Sequence, residues 1–594
     1  MTSGRVLVSA SRLLSVAGVI VVVALLPWLS GRDPALSILR ARSADQEPTP
    51  AALAAIRADL GLDAGPITML LRWFGGVLRG DLGTSWNTGR PVLPGALDAL
   101  GVSTTLMAFA LAVACAVATV IVAPALRAGL RGRPSRSSGI GASVLTSVPE
   151  FLLASVAVIV GSVWLSLPSY GWAGPTSAIL PALALGLPAG GLLGRLLADA
   201  VSVSFTEAWV TTWTVADVGR GTLARAVLRR AASSLTSQIA LVMVGLLGGA
   251  VAVERVFAIP GIGRSMLGNA QSQDLPALQA DILLLMAVSI LIGVLAQAGR
   301  RALLGRSVHD RAVPVPTARI AAGRFALVVP VVAASVLGAI VLAGLPRDPF
   351  ATTRGKFLPP SVAHPFGTDA SGRDVLARVA HGAAHTMTVS ATVALGCVLV
   401  GLVLGSAARV FTGPIEVTNA APPIIAGVIV ASVAGPGAAA AAIAVLLVSW
   451  APLAAHTAAL SAEVSARPYV AVLPTLGAGR LRVLFGSVLP AVGPAVLRHG
   501  VLRLPGIALA LAALGFLGLG PQPPSPDWGL VLADGVATVE RAPWVALAPL
   551  ISLVLLAVTA VSLASAVRSR RGRRSPETGG PDPQADRPTA LTAC

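Results

Sequence analysis

The sequence predicts an all-α polytopic membrane protein with two parallel six-span halves, about twelve transmembrane helices in all. Three observations predict it. Mean hydropathy is +0.81, and charged residues make up only 12%, against roughly 25% in a soluble domain. Apolar runs recur at the length of about 20 residues that a helix needs to cross hydrocarbon. Two long apolar stretches are each interrupted, after four runs and before two, by an arginine-bearing polar loop at 207–233 and 463–490.

The first half is assigned to residues 1–305. Its spans are expected near 12–30, 101–125, 139–166, 177–198, 236–258 and 280–299. The first run follows Arg5 and Arg12, as in a signal peptide. Its length and the lack of a small-x-small site favour an uncleaved span. An outside segment, about 31–98, comes next; Pro48-Thr49-Pro50 before 51–62 reads as a short helix entered through a proline turn. The remaining spans occupy about 99–303. A cytoplasmic linker at 306–322 carries Pro314 and Pro316. The second half, 323–568, has spans near 324–345, 386–411, 418–434, 436–461, 492–520 and 543–567, with an outside segment at about 346–385. Pro422 and Pro423 interrupt the 418–434 run. Residues 569–594, rich in Pro, Gly and polar groups, are expected to form a disordered cytoplasmic tail. The halves share one topology, so they are parallel repeats, able to enclose a pathway between them.

The net charge of +18 raises a nucleic-acid reading, which the placement of arginine opposes. Arg127, Arg131, Arg133 and Arg136 precede the third run; Arg220, Arg225, Arg229 and Arg230 precede the fifth; Arg568, Arg570 and Arg571 follow the last. With both termini cytoplasmic, all of these lie on one side, as the positive-inside rule requires. The excess is therefore topological, with some attraction to anionic membrane lipid, and no nucleic-acid partner is expected.

The sole lysine, Lys356, is not in a GxxxxGK[ST] phosphate loop. Any ATP-driven step needs another polypeptide. Cys115, Cys397 and Cys594 form no CxxC or disulfide framework. No His, Cys or carboxylate cluster suits a metal, and no catalytic constellation stands out, so neither an enzyme nor a cofactor site is expected. Glu150, Asp199 and Glu254 fall near span ends, where snorkelling or exposure would satisfy them.

Several ordered motifs resemble one family. In the first half these are 59–63 (DLGLD), 72–76 (RWFGG), 80–85 (GDLGTS), 88–92 (TGRPV), 253–257 (VERVF) and 260–263 (PGIG). In the second they are His364-Pro-Phe-Gly367-Thr368-Asp369, then Gly372-Arg373-Asp374 with Arg378 and Gly382. Further on come 516–520 (FLGLG), Gln522-Pro-Pro524, Pro526, Trp528-Gly529, Ala533-Asp-Gly535 and Ala542-Pro-Trp544. The chain resembles a fusion of the two permease subunits of the dipeptide/oligopeptide/nickel class of binding-protein-dependent ABC importers. The resemblance implies a bacterial plasma (inner) membrane location. It also implies cytoplasmic ABC ATPase subunits and an extracytoplasmic solute-binding protein as partners, and short peptides as cargo, with nickel or a metal chelate next. Gly372-Arg373-Asp374 and 522–528 would form either a lip meeting the binding protein or a loop sealing the bundle end.

The resemblance also implies that the loops between spans four and five seat in the ATPases. In the second half Tyr469 opens the match, Gly477 takes the family's glycine position as a turn between two helices, Arg482 adds polar contact, and Leu489-Pro490 closes it. Ala471-Val-Leu473 stands where the family has Glu-Ala-Ala, and Pro474 enters the first helix. In the first half Glu207 leads in and Arg225 lies on the second helix; the glycine position falls at Asp217, with Gly219 two residues away, and no Leu-Pro follows. A rival reading, an ion-driven secondary transporter, would call for mid-span carboxylates or broken helices. A non-transporting scaffold is the other.

Overall fold

A computed structural model describes residues 2–30, 35–42, 47–61, 65–133, 145, 148–164, 170–304, 327–352, 355–420 and 422–572. The expected linker 306–322, the start of the third expected span and the tail from 573 lie outside these residues.

In the first half, α1 (Thr2–Ala24) leads through the short helices α2 (Pro50–Leu60) and α3 (Pro66–Val77) to the long α4 (Val92–Leu130). Then come α5 (Glu150–Val158), α6 (Ile179–Ser204), α7 (Ala208–Val215), α8 (Arg220–Ser234), α9 (Thr236–Val256), α10 (Ile262–Gln271) and α11 (Leu275–Leu304). The second half repeats the plan with α12 (Val328–Gly344), α13 (Val375–Ser406), α14 (Ala408–Ala420), α15 (Pro423–Ala434), α16 (Ala438–Ser449) and α17 (Ala451–Ser465). After the short helix Pro468–Ala471 follow α18 (Leu489–Phe516), α19 (Trp528–Ala537) and α20 (Pro543–Gly572).

Every expected span coincides with an apolar helix. Among the described residues, eight helices are long and apolar enough to cross a membrane, or nine if the pair Val410–Asn419 and Pro423–Ala434, bent by 95°, counts as one. Shorter apolar helices, Ala10–Ala24, Glu150–Gly161 and Val328–Gly344, take the remaining expected places. The bend falls at Pro422-Pro423, where two residues lack a backbone N–H. Two findings differ from the sequence expectation. The segment after each fifth span contains a helix, α10 or α19, where the sequence reading places none. The last helix continues to Gly572, so 569–572 are helical and not tail.

Backbone contact defines each half. On α6, a Cβ at Gly186 would lie 2.6 Å from the Ala110 carbonyl oxygen, and one at Gly190 2.7 Å from that of Ala114. Gly194 sits similarly against Ala118. The four-residue spacing puts all three glycines on one helix face, and small residues let helices approach closely in lipid. The second half uses the other partner: Gly401 and Gly405 on α13 meet Leu453 and Ala454 of α17.

The first helices of the two halves are placed differently. α12 packs on α13 and α20 of its own half. α1 instead crosses to α14 of the second half. Arg12 donates two bonds to Glu416, at 2.6 and 2.9 Å, Ser11 donates to the Val410 carbonyl, and Gly413 N–H donates back to Ser11 Oγ. Gln279 Nε2 donates to the Val23 and Ala24 carbonyls, satisfying acceptors that a helix end leaves free. Deeper in, the Phe151 and Phe516 rings join the halves with centroids 5.7 Å apart.

The α4–α6 contact generates one expectation. Gly190→Ala forces a methyl into a backbone and is expected to destabilise by about 1–3 kcal/mol, lowering the melting temperature of the purified protein. Gly101→Ala, on α4 with nothing within 4 Å of its Cβ position, is expected to leave it unchanged or slightly raised. Equal effects would refute the backbone-contact account.

Candidate functional site

The motif residues of the second half form a mouth at the start of α13. All four acceptor positions of Asp369 are used: Oδ1 takes the Ser371 and Arg373 amides, and Oδ2 takes Arg373 Nε at 2.8 Å and Arg378 Nη1 at 2.7 Å. Asp369 and Arg378 are 2% and 1% exposed, a buried pair whose remaining hydrogen bonds are largely met, as such pairs require. Asp374 Oδ1 caps α13 by accepting from the Leu376 and Ala377 amides. Its Oδ2 takes Arg347 Nη1 at 2.7 Å and lies 3.1 Å from His364 Nδ1. Burial pushes the Asp374 pKa up, but the His364, Ala377 and Arg347 contacts outweigh it and hold it below the ordinary aspartate value.

Gly367, at φ +71°, has a Cβ position 2.5 Å from the Leu358 carbonyl oxygen, so no side chain fits there. Gly372, at φ +79°, makes the turn between the two aspartates. Thr368 Oγ1 donates to the Gly355 carbonyl and accepts from the Leu358 amide. Trp528 is fully buried and donates from Nε1 to the Val379 carbonyl at 2.7 Å. Gly529 lets α19 lie on the α18 backbone, since its Cβ position is 2.0 Å from the Ala512 carbonyl oxygen. These residues pack α19 against the start of α13 and against α18. Gln522 and Pro524 are the exposed members; Gln522 bonds the Gly520 carbonyl at 2.9 Å.

The first half packs its corresponding region with different residues, which sequence reasoning missed. Glu254 is 0% exposed, which corrects the expectation of snorkelling. It accepts from Ser103 Oγ and, at 3.0 Å, from the Arg264 amide, while Ser103 Oγ accepts from the Ile262 amide. Gly261 and Gly263 leave room for its carboxylate. Asp274 likewise gathers Ser85 Oγ and the Trp86 amide.

The connections between spans four and five form the second region. Asp217, at φ +52°, and Gly477, at φ +84°, lie 260 residues apart and make the same turn. Val218 N–H bonds the Trp213 carbonyl as Ala478 N–H bonds that of Leu473, each at 3.0 Å. This six-residue closure is the Schellman ending of a helix. The burial pattern of 211–220 is identical, position by position, to that of 471–480. Gly219 is therefore not the turn residue: it precedes α8 at φ −51°, as Gly479 precedes Arg480. Asp217 makes the turn at the position where the resemblance expects glycine, because aspartate tolerates the left-handed region better than most residues.

Around these turns, Glu207 accepts from Trp209 Nε1 at 2.7 Å and Arg230 Nε at 3.2 Å, tying α7 to α8. Arg225, Tyr469 and Arg482 are exposed. Leu489 and Pro490 open α18.

Third, a cavity lies between the halves. Two adjoining lobes of about 370 and 720 Å³ share Glu150, Leu241, Gly245, Pro423, Leu509 and Ala510 in their walls. Pro149 and Pro422, both extended, begin the matching helices α5 and α15 on its two sides. The larger lobe is also lined by Arg503, which the sequence analysis did not single out.

Two expectations follow from the mouth and the turns. A lowered Asp374 pKa means stability that is present above the ordinary aspartate value and lost as pH falls through the folded-state value. Asp374→Asn is expected to lower the melting temperature at pH 7, with the gap to wild type narrowing below about pH 4; a gap independent of pH would refute the assignment. At the turns, Gly477→Ala is expected to cost about 1 kcal/mol and to speed amide exchange at Ala478. Asp217→Gly should slow exchange at Val218. Unchanged exchange at both would remove the left-handed turn from the account.

The comparisons agree with this geometry. The family described as "Binding-protein-dependent transport system inner membrane component" matches twice, at 116–307 and 394–573. The chain is 35% identical over 207 residues to the di/tripeptide transport system permease protein DppC of Pseudomonas aeruginosa, covering 33% of this chain and 68% of that protein. It is 31% identical over 227 residues to the peptide transport system permease protein SapC of Escherichia coli, covering 36% and 77%. To the metal-staphylopine import system permease protein CntB of Staphylococcus aureus it is 27% identical over 277 residues, covering 46% and 87%. With two copies of the domain in tandem, either side of a shared cavity, the chain belongs to the binding-protein-dependent transport system inner membrane components.

Proposed function

We propose that this chain alone forms the membrane pathway of an importer of short peptides, driven by ATPase subunits on other polypeptides and supplied by a solute-binding protein. Both termini and the two turns face the cytoplasm; the Asp369 mouth faces outward, with Gln522 and Pro524 as the rim offered to the binding protein. Peptide permeases among the relatives support the cargo. The metal-staphylopine relative supports a second reading, a metal chelate.

One observation carries the coupling role. The turn of the second half exposes a patch of large apolar side chains: Val472, Leu476 (74%), Leu481 (71%) and Phe485 (65%). Such a patch at a loop marks a docking surface. At the same places 260 residues earlier stand Thr212, Ala216, Gly221 and Arg225. The second-half turn therefore holds its ATPase by a broad apolar contact, whereas the first-half turn offers Arg225 and one exposed large apolar side chain, Val215.

Purification of the tagged chain from its native membrane, followed by an ATPase assay, tests this. ATPase subunits are expected to come with it, and Leu476→Asp is expected to lose more of them than Ala216→Asp. A chain that purifies alone, under conditions that keep a control importer intact, would overturn the reading. Uptake of dialanine against a nickel chelate separates the two cargoes.

A further inference from the structure

The central cavity has an electrical asymmetry that duplication alone would not produce. Its wall is mostly apolar, yet Glu150 lines both lobes and Arg503 the larger one. They come from opposite halves. Where the first half has Glu150 after Pro149, the second has Pro423 after Pro422. Where the second half has Arg503, the residue 260 positions earlier is Met243. Each half thus contributes one charge, of opposite sign.

Among the described residues neither has a side-chain partner of opposite charge; the Glu150 carboxylate accepts from its own backbone amide, and the one ionisable neighbour of Arg503 is the Cys397 thiol. Ionisable side chains within a membrane bundle are rare and face a partner or a cavity. The fold holds Glu150 in place. It occupies the first position of α5, where the helix dipole favours a carboxylate. Gly249 leaves room beside it, its Cβ position being 3.2 Å from Glu150 Cδ. Arg503 lies two residues before Pro505 on α18, and both line the larger lobe. A lobe of about 720 Å³ falls within the roughly 300–1,000 Å³ of small-molecule sites.

We propose that Glu150 and Arg503 form a transient binding subsite for a zwitterion, Glu150 receiving an ammonium group and Arg503 a carboxylate. The cargo class is a short peptide with both termini free, and its passage is oriented. The inference rests on the peptide-importer reading and adds to it that this chain, not only a binding protein, inspects the termini.

The test uses the full chain in lipid nanodiscs and ligand-observed saturation-transfer NMR, which detects weak binding. The probes are dialanine, N-acetyl-dialanine and dialaninamide. Dialanine is expected to bind roughly tenfold or more tightly than either blocked form, the loss of one charged hydrogen bond each. Glu150→Gln should abolish the preference over N-acetyl-dialanine and leave that over dialaninamide; Arg503→Gln should do the reverse. Equal binding of all three probes by wild type, or no binding, overturns the subsite without relying on any variant. So does an equal loss for all three in both variants. If the same preparation recruits its ATPases, only the subsite has failed; if it recruits none, the importer reading has failed with it.

Discussion

The rest of the structure depends on close backbone contact between helices, most of all at two pairs. α4 against α6, and α13 against α17, close to distances that admit no Cβ at Gly186, Gly190 or Gly405. In lipid there is no hydrophobic gain from pairing two apolar helices, so van der Waals contact over small residues must do it. These pairs then position both ends of each half. The Asp369–Arg378 pair sits on the start of α13, and the turn at Asp217 is reached from the end of α6.

The two halves keep the backbone of their common plan and have let the side chains go. Asp217 and Gly477 make one turn with different residues, as do Ala258 at φ +55° and Gly518 at φ +78°, again 260 positions apart. Both halves hold buried carboxylates, yet Asp369 uses guanidinium partners, whereas Glu254 uses a hydroxyl and an amide. Divergence of this kind leaves more large apolar side chains exposed at one turn than at the other, and it gives the cavity walls unlike charges.

Much of this was legible in the sequence. The apolar runs, their order and the duplication could be read because membrane spans need length and hydropathy, which local composition records. What was hidden required knowing which surfaces face each other. Trp528 has the composition of an interface loop and is in fact fully buried. Glu254 sits at a span end, where exposure is the default, and only the fold brings Ser103 to it. Arg503 is isolated within an apolar run and belongs to no motif; its significance comes from sharing a lobe with Glu150, 353 residues earlier. Asp217 stands at the expected glycine position, but its left-handed backbone angle is not written in its residue type.

The crossing of α1 has a consequence for how the protein is made. Ser11 finds the Val410 carbonyl only across 399 residues of chain. At about 5–20 residues per second of synthesis, that is roughly 20–80 s during which the first helix is in place and its partner does not exist. Throughout that interval Arg12 has water, lipid headgroups or the insertion machinery in place of Glu416. The same bond closes the order of assembly, because α1 cannot settle until the middle of the second half has arrived. A single polypeptide therefore fixes the one-to-one ratio of its two halves.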